Sequence, residues 1–337
     1  MSELSRSSLP LVIVIDLDGT IIGDITPQII TFELAKSFKT AGVKFAHDMT
    51  DLKLKLKSGI IRPYFDTFVK SLNQMGNIEF FVYTASEKTW AEFIVKQIES
   101  ATGIKINRPI FARNFCISHE REYKKGLSYI RASIAKALKK KYNVAFSSSD
   151  LLDNILIVDN NNVYPNGDNK HLVVCPTYGY RVAENIVAHV NIEMFKQNYT
   201  LIYSVLQKYM PMSGTSDFNQ FQREFYTYYL TLLTTNTKHN SRYVSDKFWL
   251  HLRDAIVSHS ITKFDEKSVK YIKTILHQRL GNVNTITNPL ASLQAQQKIN
   301  SSQHIQRRKS QNDNNNVIYQ RKKYSHRADR QNKTSFF

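Results

Sequence analysis

The apolar run Val12–Ile15 leads straight into Asp16-Leu17-Asp18-Gly19-Thr20, so a segment with the make-up of a buried strand ends on two carboxylates spaced i, i+2. Burying an unpaired carboxylate is costly, and such a group normally neutralises or finds a cation. In extended backbone, residues i and i+2 point to the same side, so Asp16 and Asp18 can face one ligand while Leu17 anchors in the core. Two carboxylates placed in this way suit phosphoryl transfer: one attacks phosphorus and the other protonates the departing oxygen. Gly19 permits a sharp exit from the strand, and the Thr20 hydroxyl can fix the loop. A carboxylate approaching a phosphate dianion meets like-charge repulsion, so the chemistry calls for Mg²⁺ on oxygen ligands and for a lysine to hold the phosphorylated state. The run ILIVDNNNVYPN (Ile155 to Asn166) offers the oxygens, being a second apolar strand that ends in Asp159 and Asn160.

These residues need a scaffold that brings strand ends together. From Leu11 to about residue 189, short apolar runs alternate with helical stretches, the pattern of α/β units around a mainly parallel sheet. The candidate strands are Leu11–Ile15, Glu79–Thr84, Asn154–Asp159 and Leu172–Cys175. In open α/β sheets ligands collect beyond the carboxyl ends of the strands, where Asp16, Asp18, Thr84 and Asp159 would converge. Helices are expected over TPQIITFELAKSFKTAG, with Thr26 as cap, Pro27 at the first position and Gly42 as stop, and over SEKTWAEFIVKQIESATG, with Ser86 as cap. A third, GLSYIRASIAKALKKKY, is basic on one face, which reads most simply as a solvated surface.

After residue 190 the sequence becomes aromatic-rich and helical. Phe218, Phe221, Phe225, Tyr228 and Leu232 share one helical face, a stripe that reads as core. SDKFWLHLRDAIVSH and FDEKSVKYIKTILHQRLG add two more helices, the second stopped by Gly281. From Ala291 onward the chain is rich in Gln, Asn and Ser and holds ten Lys and Arg against two Asp, which supplies +8 of the formal net charge of +18. The expected layout is a leader over 1–10, an α/β domain over 11–189, a helical region over 190–290 and a disordered basic tail over 291–337. Within the tail, QRRKS (Gln306 to Ser310) and QRKKYSHR (Gln320 to Arg327) are the densest basic clusters, suited to nucleic acid or another polyanion. Two cysteines, Cys116 and Cys175, are too few for a disulfide framework and fit a reducing compartment, cytoplasmic or nuclear. The N-terminus carries neither a signal-peptide pattern nor a membrane span, so no membrane partner is expected.

DLDGT at Asp16 to Thr20, Thr84 in FFVYTAS, a downstream lysine and VDNNN at Asp159 are similar, in order, to the four motifs of the haloacid dehalogenase superfamily of phosphatases. Within it the chain most resembles the FCP/SCP-type, NLI-interacting-factor-like group that acts on the RNA polymerase II C-terminal domain. IRPYFDTFV (Ile61 to Val69) is similar to that group's RPG-x-x-x-FL segment, YTAS to its T-A-S motif, and RNFCISHEREYKKGL to its R-x-x-C-x-x-H-x-x-x-Y-x-K-x-L segment, which aligns Lys125 rather than Lys124 with the motif lysine. The resemblance covers roughly residues 10 to 185. It implies a Rossmann-like fold with Asp16 as nucleophile and Asp18 as general acid and base. It further implies Thr84 and Lys125 on the phosphoryl oxygens, and Mg²⁺ bound by Asp16, the Asp18 carbonyl and Asn160 beside a supporting Asp159. Two departures stand out: Gly19 occupies the place of the group's usual Glu, and a basic helix lengthens the stretch between Lys125 and Asp159.

The expected function is a Mg²⁺-dependent phosphomonoesterase with an aspartyl-phosphate intermediate, acting on phosphoserine or phosphothreonine in a protein. The alternatives are a polynucleotide 3′-phosphatase and a non-catalytic binder of nucleic acid or a transcription complex. Three nearby residues read more plainly: His119 as a rim or structural group, Arg113 as a phosphate contact or a surface ion pair, and Cys116 as a small buried residue. No His or Cys cluster has zinc spacing.

Overall fold

The computed structural model describes residues 9–43, 51–119, 122–143, 147–183, 192–209 and 217–281. Four parallel strands form the central sheet in the order β2-β1-β5-β6, where β1 is Leu11–Ile15, β2 Ile78–Val82, β5 Ile155–Asp159 and β6 Leu172–Val174. A short antiparallel hairpin, β3 (Ile117–His119) with β4 (Glu122–Lys124), stands beside it. The expected α/β architecture is borne out, with strand limits shifted by a residue or two.

Strands β1, β2 and β5 are buried along their whole length, which is why they read as unbroken apolar runs and not as alternating ones. Alternation still decides which core each side chain joins. Leu11, Ile13 and Ile15, with Phe80, Val82, Leu156 and Val158, face one helical layer, while Val12, Val14, Phe81, Ile155 and Ile157 face the other. The first layer contains α2 (Leu52–Lys55, continued by a wider turn over Leu56–Ile60), α3 (Phe65–Asn73) and α4 (Lys88–Thr102). The second is α5 (Leu127–Tyr142), whose Leu127, Ile130, Ile134 and Leu138 make its buried stripe at three- and four-residue spacing.

Helix α1 (Thr26–Thr40) follows the Asp16–Ile25 loop. Its start differs from expectation: the Asp24 carboxylate accepts the Thr26 N–H at 3.1 Å, and Thr26 is itself helical. The remaining helices are α6 (Ile192–Gln197), α7 (Tyr199–Leu206), α8 (Phe218–Asn240), α9 (Phe248–Val257) and α10 (Glu266–Leu280). Asp217 and Asp265 cap α8 and α10 by accepting backbone N–H groups from Asn219 and Ser268. Phe221 and Phe225 are buried against Ile30, Leu34 and Phe38 of α1 and Ile202, Val205 and Leu206 of α7, so that part of the aromatic stripe is core. The Leu232 side chain and the tail from residue 282 lie outside the described residues.

Helices α9 and α10 complete the main core. Phe248, Trp249, Leu252 and Ile256 of α9, with Val269 and Ile272 of α10, join the same cluster as β1 and α3, and Trp249 packs its ring 5.1 Å from Phe65 and 4.8 Å from Phe68. One buried charge pair lies at this junction. Arg62, 1% exposed, donates to both carboxylate oxygens of Asp246 at 3.0 and 2.8 Å, and its guanidinium lies 4.7 Å from the Phe248 ring centre. Among the described residues no helix is long and apolar enough to cross a membrane.

Candidate active site

The parallel register places the ends of β1, β2 and β5 side by side. Ile15 pairs with Val82 and Val158, so the residues just beyond those positions emerge together. Asp16 follows β1 directly, Asp159 is the last residue of β5, and Thr84 lies two residues past β2. Lys125 arrives from the end of the hairpin and closes the group. Its ammonium donates to Asp159 Oδ2 at 2.8 Å and makes a short contact with Asp16 Oδ1. All three residues are buried, whereas neighbouring Lys124 is exposed.

Asp159 is fully engaged: its other oxygen, Oδ1, accepts the Asn161 N–H at 2.8 Å. Asp16 keeps Oδ2 for a looser set, with the Thr20 hydroxyl at 3.2 Å. Thr20 also accepts the Asn160 N–H at 3.1 Å, so its expected role of fixing the loop extends to joining the first and last motifs. Burial and the neighbouring Asp159 push the Asp16 carboxyl up from 3.8 to about 7, with Lys125 opposing. The two carboxylates in turn raise Lys125 against the effect of burial, so it stays protonated. Asp18 is raised mainly by burial, with Ser86 and Thr84 opposing. Its Oδ2 accepts the Ser86 hydroxyl at 2.7 Å and the Thr84 hydroxyl at 3.2 Å, while Oδ1 is sealed from solvent with no hydrogen-bond partner among the described residues.

Two carboxylates thus share one ammonium with Asp18 close by, and the excess negative charge suits a cation. The oxygens present fit Mg²⁺. One terminal atom of the Asn160 side-chain amide lies 3.2 Å from both Asp16 Oδ2 and the Asp18 carbonyl oxygen. If that atom is the amide oxygen, three oxygens face one another with no proton between them, an arrangement a cation resolves. If it is the nitrogen, it donates to the other two. An octahedron with bonds of about 2.1 Å has edges of about 3 Å, close to this spacing. Among the described residues no three His, Cys, Asp or Glu side chains form a metal cluster. The set here draws instead on one carboxylate, a backbone carbonyl and an amide.

Two residues of the site were not among the expected site residues, although one of them, Ser86, ends the YTAS match. Ser86, expected to cap α4, turns its hydroxyl to Asp18, and the cap position falls to Glu87 without a side-chain bond. Thr177 places its hydroxyl 3.2 Å from the Asn160 side-chain amide and had no motif to mark it. Arg113 braces the loop after β2: its Nε donates to the Ala85 carbonyl at 2.8 Å, its guanidinium stacks 4.6 Å from the Tyr123 ring centre, and Glu87 lies 3.4 Å away. Cys116 is half-buried with Sγ 3.8 Å from the Thr84 carbonyl oxygen, and the His119 side chain lies outside the described residues.

A parallel sheet thus gathers carboxylates and a buried lysine at its carboxyl edge. The family model described as NLI interacting factor-like phosphatase matches residues 11–186, more than half of the chain, and the chain belongs to that phosphatase family. The resemblance read from the motifs is borne out. No curated protein matches. Among solved structures, the chain is similar to Fcp1, described as an essential RNA polymerase II CTD phosphatase, at 17% identity over 59% of this chain and 50% of that one, with a TM-score of 0.29. It is also similar to a fission yeast Fcp1 variant bound to beryllium fluoride, at 14% identity over 82% of this chain and 68% of that one, with a TM-score of 0.35. The match thus spans half the length of the first of these proteins.

Proposed function

We propose that this phosphatase is a Mg²⁺-dependent phosphomonoesterase that forms a phosphoaspartate on Asp16 and acts on phosphoserine or phosphothreonine in a protein, as the solved Fcp1 structures are described as acting on a polymerase C-terminal domain. The observation that carries the reading is the single buried ammonium of Lys125 shared by Asp16 and Asp159, with Asp18 two residues along the same strand exit. Asp16, whose Oδ1 is held by Lys125, serves as nucleophile. Asp18 gives a proton to the ester oxygen as the P–O bond breaks and Asp16 bonds phosphorus, so the alcohol leaves neutral. Water then attacks the phosphoaspartate, Asp18 takes up its proton, and inorganic phosphate leaves with Asp16 restored. Lys125 and the Thr84 hydroxyl bind phosphoryl oxygens, and Asp159 holds Lys125 in place. Mg²⁺ held by Asp16, the Asp18 carbonyl and Asn160 would lower the repulsion between carboxylate and phosphate.

The test is phosphate release by the full chain, with and without Mg²⁺, from para-nitrophenyl phosphate, phosphoserine heptad-repeat peptides and a 3′-phosphorylated oligonucleotide, with Asp16→Asn as blank. Mg²⁺-dependent release that prefers the peptides supports the reading. Preference for the oligonucleotide would redirect it to nucleic-acid ends, and release no greater than the blank from every substrate would refute catalysis.

A further inference from the structure

Ser86 does more than its place before α4 foretold. Its hydroxyl makes the shorter of the two bonds to Asp18 Oδ2, 2.7 Å against 3.2 Å from Thr84. Its own backbone N–H donates to Thr84 Oγ1 at 3.0 Å, so the two hydroxyls are locked in one turn. A threonine hydroxyl has a single proton. In the phosphate-free protein Thr84 directs it to Asp18; once that proton is given to a phosphoryl oxygen, Thr84 can no longer hold the carboxyl. The bond from Ser86 then remains.

We propose that Ser86 is the positioning residue for Asp18 in the phosphate-loaded enzyme, holding Oδ2 so that Oδ1 is the oxygen that delivers the proton to the leaving group. This rests on the phosphatase reading above. The buried Oδ1, without a partner among the described residues, is the atom left free for that task. As the proton passes from Oδ1 to the ester oxygen, the P–O bond breaks, Asp16 bonds phosphorus and Asp18 becomes a carboxylate. A hydrogen bond to a developing carboxylate strengthens along that path, so Ser86 stabilises the transition state more than the ground state. Its contribution therefore matters where the leaving oxygen must be protonated, as in an alkyl ester, and little where the leaving group is already stable as an anion, as in 4-nitrophenolate.

The experiment compares kcat/KM of wild type, Ser86→Ala and Ser86→Thr on a phosphoserine peptide and on para-nitrophenyl phosphate. Loss of one hydrogen bond to a charged group predicts that Ser86→Ala loses roughly ten- to a hundred-fold on the phosphoserine ester and less than about three-fold on the aryl ester. Ser86→Thr, which keeps the hydroxyl, retains the phosphoserine activity. The aryl ester doubles as the control for folding. Equal losses on the two esters, or no loss on either, would overturn the assignment while leaving the phosphatase reading standing. A wild-type protein inert towards both would instead remove that reading and this inference with it.

Discussion

Tyr64 adopts φ +65°, a left-handed conformation that costs a residue with a side chain about 1–2 kcal/mol. It occupies the place of glycine in the RPG segment that IRPYFDTFV resembles, which explains why that place favours glycine. With the aromatic ring removed in both variants, Tyr64→Gly should be more stable than Tyr64→Ala by about 1 kcal/mol in urea unfolding; equal midpoints would contradict the strain. Gly19 is bound more tightly by its surroundings, having φ +81° and room for no Cβ, which would lie 2.7 Å from Asn160 Nδ2. Gly19→Ala should therefore displace Asn160 and weaken the thermal upshift produced by Mg²⁺, read by differential scanning fluorimetry. The carboxylates and Lys125 were legible because buried charge at strand ends has few structural uses, and because the motif alignment separated Lys125 from the exposed Lys124. Ser86 lies within the YTAS match but reads only as a helix cap, and it is the convergence of β1 and β2 that shows its hydroxyl has a better acceptor.

Among the elements, α9 carries a charge pair that sequence patterning does not reveal. Its hydrophobic face was plain from Phe248, Trp249, Leu252 and Ile256, but Asp246, just ahead of the helix, reads as an ordinary helix-start acid. In the fold it meets Arg62, a residue 184 positions away, in a site where the guanidinium is almost wholly buried. Removing one partner leaves that charge uncompensated, so Asp246→Ala should cost about 3–5 kcal/mol in denaturant unfolding. The double variant Arg62→Met/Asp246→Leu should recover much of the loss, since apolar replacement of a buried pair is often neutral; an additive double loss would contradict the pairing. Sheet and helices were readable from their apolar periods. The link between the first motif region and the last helices was not, because periodicity reports a buried face and not what lies opposite it.

At the scale of the whole molecule, the site's unbalanced charge links stability to pH. Asp16 has a folded-state pKa of about 7 against an ordinary 3.8, so the folded chain retains a proton that the unfolded chain has released. That contribution is present at low pH and is lost as pH rises through 7. Asp16→Asn should accordingly gain stability relative to wild type between pH 5 and pH 8 without metal. Mg²⁺ should raise the wild-type melting temperature more at pH 8 than at pH 5.5, and have little effect on the variant. A gap that narrows with rising pH would contradict the sign. Deleting residues 291–337, which carry +8 of the net +18, should weaken retention on heparin and leave hydrolysis of para-nitrophenyl phosphate unchanged. The Arg62–Asp246 pair also sets a timetable. At about 5–20 residues per second of synthesis, Arg62 is made roughly 10–40 s before the aspartate that neutralises it. A nascent chain translated past Asp159 therefore still lacks the partner for a cation destined for its core, so a chain cut short before residue 246 should be less stable than the full chain.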